Sequence, residues 1–301
     1  ICEFLFEEVN SDPRIFKDTD AYGHSPMGLA CKNGHLSVCE WLLDKGGQTL
    51  INGKDDGSEL SPLHCASAAG QLEICKWLYS KGADIAKVNH GGYDETPMGL
   101  ACENGHLSVC EWLLDLGGQK LIQDAALPIH LACEGGNLDV CKLVFRICGT
   151  KDVLTKDSWG LTAMHWAVRS GSLEVCKWLF DLIPDEDKLK IILTAGSYGR
   201  TPMYYAIESG HLEICKWLFD IVPEDHKHST ILTANNRGLT PMHIACQKGH
   251  LEICKWLLLN GALNTIVGNI NLSAIRNFIT EKASNAILNE LRFDVRALKA
   301  F

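Results

Sequence analysis

Apolar positions along this chain recur in short helical blocks, and the blocks themselves repeat. The phrase Val38-Cys-Glu-Trp-Leu-Leu43 returns as Ile74-Cys-Lys-Trp-Leu-Tyr79 and Val109-Cys-Glu-Trp-Leu-Leu114. It returns again as Val140-Cys-Lys-Leu-Val-Phe145, Val175-Cys-Lys-Trp-Leu-Phe180, Ile214-Cys-Lys-Trp-Leu-Phe219 and Ile253-Cys-Lys-Trp-Leu-Leu258. Inside a block, residues such as Val38, Trp41 and Leu42 stand at i, i+3, i+4 spacing, one apolar stripe of a helix. A second phrase precedes most blocks: Ser25-Pro-Met-Gly, Ser61-Pro-Leu-His64, Thr96-Pro-Met-Gly, Thr162-Ala-Met-His165, Thr201-Pro-Met-Tyr204 and Thr240-Pro-Met-His243. Its hydroxyl caps free helix N–H groups and its proline suits the first helical position, so it predicts a helix start. A glycine about eight residues on, as in Asn33-Gly-His35, stops that helix by allowing a left-handed turn. Gly46, Gly82, Gly117 and Gly261 are predicted to end the second helices. The pattern therefore predicts pairs of helices joined by tight turns.

The blocks set up a ladder of cysteines: Cys2, Cys39, Cys75, Cys110, Cys141, Cys176, Cys215 and Cys254, spaced 31 to 39 residues apart. Self-similarity at this period marks a repeat array, in which each unit buries its faces against its neighbours. The Thr-Pro-Met-His…Ala…Gly-His-Leu-Glu pattern closely resembles the ankyrin repeat over about residues 1–262. The resemblance implies an all-α, ankyrin-type helical repeat solenoid with short hairpin loops between helix pairs. On that reading, residues 1–19 are the second half of a partial repeat, 20–262 hold about seven repeats, and 263–301 form a helical cap. The ladder opens inside a repeat at Ile1, so further repeats are expected before it.

Some units depart from the pattern. The fourth starts Leu127-Pro-Ile-His130, without a capping hydroxyl. The fifth and sixth carry the longer links Leu182-Ile-Pro-Asp-Glu-Asp187 and Ile221-Val-Pro-Glu-Asp225, expected to lengthen the second helix or add a turn. Residues 25–48 and 96–119 differ at only three positions, which points to internal duplication.

Charge narrows the function classes. The net charge is −9, from 37 acidic against 28 basic residues, which disfavours nucleic acid as a general partner. No apolar run reaches the roughly 18 residues of a membrane helix, so direct membrane insertion is not expected. The 14 cysteines do not form C-x-x-C motifs. Cys31, Cys102, Cys133 and Cys246 each stand eight residues before a rung and read as small apolar packing residues. Reduced thiols of this kind point to a cytoplasmic location.

No catalytic, cofactor or metal site is expected. His64, His130, His165 and His243 share the fourth place of the Thr-Pro-x-His phrase, where the resemblance implies a hydrogen bond tying loop to helix. His35, His106, His211 and His250 follow the turn glycine and also read as structural. Repetition argues against catalysis, because a catalytic group is needed once. The tryptophans Trp41, Trp77, Trp112, Trp178, Trp217 and Trp256 recur in register and are expected in the core. Asp185-Glu-Asp187 lacks the alternating ligand spacing of a calcium loop.

The resemblance places a partner surface at the hairpin tips and on the exposed side of the first helices. The candidate partner-binding residues are Tyr22, His24, Tyr93, Trp159, Leu161, Tyr198, Arg200, Arg237, Leu239, Arg169 and Glu208. Binding hot spots are rich in Trp, Tyr and Arg, which singles out the aromatic tips. The function expected is a non-enzymatic scaffold binding a protein or peptide along the concave face and tips. Two alternatives stand beside it: a subunit built permanently into a larger complex, and the regulatory repeats of a larger enzyme, channel or ubiquitin-ligase adaptor.

Overall fold

Each predicted helix start is a cap in the computed structural model, which describes residues 16, 25–53, 60–88, 96–123, 127–149 and 153–262. The terminal segments 1–15 and 263–301 assigned above lie outside those residues. Ser25 Oγ accepts from the Gly28 N–H at 3.1 Å, and Thr96 Oγ1 from Gly99 at 3.0 Å. Where the phrase carries histidine, a reciprocal cap forms. The Ser61 N–H donates to His64 Nδ1 at 3.2 Å, and the Thr162 N–H to His165 Nδ1 at 3.1 Å. Leu127 has no hydroxyl to offer and sits at φ 49°, ψ 60°. That left-handed conformation is strained for a residue with a Cβ.

The chain divides into two compact units between Val153 and Leu154. The first holds α1 (Pro26–Lys32), α2 (Leu36–Gly46), α3 (Pro62–Ala68), α4 (Leu72–Ser80), α5 (Pro97–Glu103), α6 (Leu107–Gly117), α7 (Lys120–Gln123), α8 (Pro128–Gly135) and α9 (Leu138–Cys148). First helices pack in series, α1 on α3, α3 on α5 and α5 on α8, and each second helix folds back on its first. The second unit holds α10 (Ala163–Ser170), α11 (Leu173–Leu182), α12 (Asp185–Leu193), α13 (Pro202–Ser209), α14 (Leu212–Ile221), α15 (Glu224–Leu232), α16 (Pro241–Lys248) and α17 (Leu251–Leu257). Here α10 packs on α13 and α13 on α16. No strand occurs among the described residues. The expected all-α helical solenoid is present in each unit.

The long links do more than was expected of them. Pro184 and Pro223 end the second helix in extended backbone, and separate helices, α12 and α15, follow. Proline cannot continue the preceding helix and favours the first turn of the next. Both new helices open on acidic residues, which suit a helix N-terminus, and bury Ile191, Ile192 and Ile231. Lys188 lies 5.1 Å from the Phe180 ring centre, and Lys227 lies 5.3 Å from that of Phe219. Shorter elements bury Leu50 and Ile51, and Leu121 and Ile122, after the second helices α2 and α6.

The ladder cysteines are core residues. Cys39, Cys75, Cys110, Cys141, Cys176, Cys215 and Cys254 are all buried. The eight-residue step brings thiols together across a helix pair: Cys31 and Cys39 at 3.6 Å, Cys102 and Cys110 at 3.7 Å, Cys246 and Cys254 at 3.7 Å. Burial pushes Cys75 up to about 11 and Cys215 up to about 12, so these thiols stay protonated and inert. The tryptophans, expected in the core, are only half-buried. The core positions go to neighbours such as Val175, Cys176 and Leu179. Three of these indoles instead sit in seams between second helices, edge-on to a ring of the preceding repeat: Tyr79 on Trp112, Phe180 on Trp217, Phe219 on Trp256.

Histidines after the turns also span repeats. His106 Nε2 pairs with the Ala68 carbonyl at 3.0 Å, His211 with Arg169 at 3.3 Å and His250 with Glu208 at 3.2 Å. The imidazole of His250 fills the place a Cβ on Gly210 would take, at 2.7 Å. With φ at +84°, Gly210 is thus required twice over. Gly135 is constrained differently, by backbone. A Cβ there would stand 2.5 Å from the Cys102 carbonyl and 2.8 Å from the Gly105 nitrogen. Gly135→Ala should therefore force α8 off α5 and cost roughly 1–3 kcal/mol, as overpacked cores do. Urea unfolding checks this, and an unchanged midpoint would refute the close approach.

Candidate partner-binding site

Three hairpins of the second unit carry the described aromatic and arginine tips. In the first, Asp157 Oδ1 accepts from the N–H groups of Trp159 and Leu161, both at 2.8 Å. In the third, Asn235 Oδ1 accepts from Arg237 at 2.9 Å and Leu239 at 3.1 Å. These side chains tie their own hairpins, as Asp and Asn do in turns. Neighbouring tips are then linked by backbone. The Ser197 N–H donates to the Trp159 carbonyl at 2.8 Å, and the Asn236 N–H to that of Tyr198 at 3.0 Å. Trp159, Tyr198 and Arg237 thus hold equivalent places along one hydrogen-bonded row.

The row displays its side chains. Trp159 is 40% exposed and Tyr198 54% exposed. Trp159 also leans on Trp166, with ring centres 6.2 Å apart, and Trp166 Nε1 donates to Asp157 Oδ2 at 3.0 Å. Arg169 is exposed, with its guanidinium 5.0 Å from the Trp166 ring centre. Arg200 lies among three tyrosines, 5.6 Å from the Tyr198 ring, 5.1 Å from Tyr204 and 6.0 Å from Tyr205. Its Nη1 reaches Glu208 at 3.7 Å. Burial raises the phenols of Tyr204 and Tyr205, so both remain neutral hydroxyls beside the guanidinium.

The structure brings together Trp159, Arg169, Tyr198, Arg200, Arg237 and Glu208 in this one unit. Leu161 is a correction. It is 6% exposed, turned inward by the Asp157 turn and packed over Gly196, so it presents nothing to a partner. Leu239 is half-buried at the equivalent place. Tyr22, His24 and Tyr93 lie outside the described residues. Trp166, Tyr204 and Tyr205 were missed because they stand inside a helix phrase that otherwise reads as core. The signal available was their size at a place where other repeats have Gly99, Leu100 or Ile244.

The arrangement offers planar cations and ring faces, the groups that recognise protein side chains. Among the described residues, no three His, Cys, Asp or Glu side chains converge as metal ligands would. No helix there is long and apolar enough to cross a membrane. The family model for ankyrin repeats matches residues 1–89, 47–124, 100–191, 129–230 and 182–267. The chain belongs to the ankyrin repeat family. No curated protein matches it significantly. Ankyrin repeats are generally protein–protein interaction modules and are typically non-catalytic. Within this ankyrin array the tips are the hairpins between repeats, and the helices behind them are the first helices.

Proposed function

We propose that this ankyrin array is a protein-binding scaffold whose working surface includes the tip row and first-helix faces of the second unit. The observation that carries the reading is the pair of exposed aromatics, Trp159 and Tyr198, on a hydrogen-bonded tip row. Large exposed rings cost free energy unless they are used or covered. A row fixed by backbone bonds loses little entropy when a partner docks, which favours affinity. The buried, reduced thiols support a cytoplasmic setting.

The double substitution Trp159→Ala/Tyr198→Ala should weaken capture of the native partner by about tenfold or more, the effect of losing one or two hot spots. Far-ultraviolet circular dichroism should stay unchanged, since neither ring is core. Affinity purification from native cells, with partners identified by mass spectrometry, gives the comparison. Undiminished capture would remove the tips from the binding surface.

A further inference from the structure

Repeat register isolates Arg200. In the hairpins on either side, the residue just before the capping threonine is a leucine: Leu161 before Thr162, Leu239 before Thr240. Before Thr201 it is Arg200. Three places into the helix, the neighbours carry His165 and His243, whose Nδ1 accepts from the threonine N–H at 3.1 and 3.2 Å. The equivalent residue of α13 is Tyr204, and the cap is left with the Thr201 hydroxyl alone, accepting from Tyr204 N–H at 3.3 Å. The turn-tying Asp157 and Asn235 are matched here by Gly196, which has no side chain to do it.

Three stabilising devices are thus absent from one hairpin: a leucine before the capping threonine, a histidine that answers the cap and a side chain that ties the turn. The replacements meet one another. Arg200 stacks against Tyr204, and its buried Nε has no hydrogen-bond partner among the described residues. Its contact to Glu208, at 3.7 Å, is too long for a hydrogen bond. Arg169 stands at the equivalent end of the preceding first helix, over Trp166, and Arg237 on the next tip, where it is exposed. Departures from local stability rules that converge on one spot mark function more often than accident. A chain of net charge −9 here sets Arg169, Arg200 and Arg237 in three successive repeats, with Glu208 beside Arg200.

We propose that Arg200, with Arg169 and Arg237 in the repeats on either side, anchors an acidic segment of a partner protein. A carboxylate seats on the guanidinium, and an adjacent apolar side chain lies on Trp159 or Tyr198. The proposal rests on the protein-binding reading above and supplies the chemistry of the partner. Arginine's planar fork suits a carboxylate, and the surrounding rings keep it oriented. Glu208 lies beside Arg200 and opposes a phosphate dianion more than a carboxylate monoanion, and the acidic chain opposes the dense phosphate charge of a nucleic acid more than the spaced carboxylates of a short peptide. These two facts favour an acidic peptide over a phosphopeptide or nucleic acid.

The test uses the full chain and fluorescence anisotropy with labelled peptides of repeating Glu-Leu-Asp-Phe. The comparison probes are the amide counterpart Gln-Leu-Asn-Phe, a phosphoserine counterpart and oligo-thymidine. The acidic peptide should bind at least about tenfold tighter than the amide, with the gap closing as salt screens it. Arg200→Leu restores the residue its neighbours use, so it should fold at least as well and lose about tenfold in affinity. Arg237→Gln, an exposed change that cannot unfold the repeat, should lose about threefold. Equal binding of acid and amide, undiminished binding by Arg200→Leu, or tighter binding of the phosphoserine or oligo-thymidine probe would each overturn the proposal. If Trp159→Ala/Tyr198→Ala abolishes partner capture while the acidic peptide fails to bind, the scaffold reading stands and this one falls.

Discussion

Leu179→Ala should lower the free energy of unfolding by about 3–4 kcal/mol, the range for emptying a sealed leucine site. Leu179 is fully buried on α11, beside Val175 and Cys176, and α11 packs on α10. Small domains are stable by only about 5–15 kcal/mol, so the loss is a large fraction of the whole. Urea unfolding gives the number. Lys177→Ala, two residues away and exposed, should stay within about 0.5 kcal/mol. Because repeats hold mainly to their neighbours, hydrogen exchange should speed most in α10, α11 and α13. Equal losses for the two variants would contradict the stripe that assigns Leu179 to the core.

Much of the fold was legible because ankyrin helices announce both their faces and their ends. The Ser/Thr-Pro phrases became caps at Ser25, Thr96, Thr201 and Thr240, and the rung cysteines became core. What the pattern hid was the use of residues between helices. The prolines of the long links read as breaks, yet Pro184 and Pro223 also begin helices of their own. Register likewise marked the tryptophans as shared but not where they pack. A stripe gives the side of a helix, whereas a position at its edge can face core or seam. Trp112, Trp217 and Trp256 face a seam, each met by a ring from the preceding second helix.

The site was legible in outline only. Trp159, Tyr198 and Arg237 stand before or at a turn, and the tip row displays all three. Leu161 looked equally surface-bound by its place in the hairpin. Its burial follows from Asp157, whose carboxylate gathers the backbone of residues 159 and 161 and turns Leu161 inward. The meeting of Arg200 with Tyr204 and Glu208 spans a hairpin, a helix start and a helix end. Single-residue spacing does not show such a meeting. Comparing equivalent places across repeats does, because substitutions stand out once the shared structural residue is known. Arg200 and Tyr204 were legible in that sense, through Leu161, Leu239, His165 and His243.

The same comparison identifies an acid-sensitive point. His165 is buried, and its Nδ1 accepts from the Thr162 N–H while Nε2 lies 3.1 Å from the Thr194 carbonyl. Burial, opposed in part by the Thr194 carbonyl and the Asp157 charge, pushes its pKa from 6.5 down to about 4. The Tyr205 ring, 5.9 Å away, completes the dry side of the pocket. The unfolded chain therefore takes up a proton near pH 6.5 that the folded chain refuses until about pH 4. Stability from this group is whole above that window and falls as pH drops through it. The loss reaches about 3 kcal/mol at the acid end. His165→Gln separates this from general acid effects. Glutamine at the third helical place can still answer the cap, but it does not titrate. The variant should be less stable near neutrality, having lost the Thr194 link, yet its stability should decline less steeply between about pH 6.5 and 4. His243 contributes a slope of the same sign in both proteins, since burial lowers its pKa too. Urea midpoints measured across the window decide the matter, and parallel curves for the two proteins would rule out His165 as the sensor. A steeper curve for the natural chain would tie the acid limit of α10 and its hairpin to one imidazole.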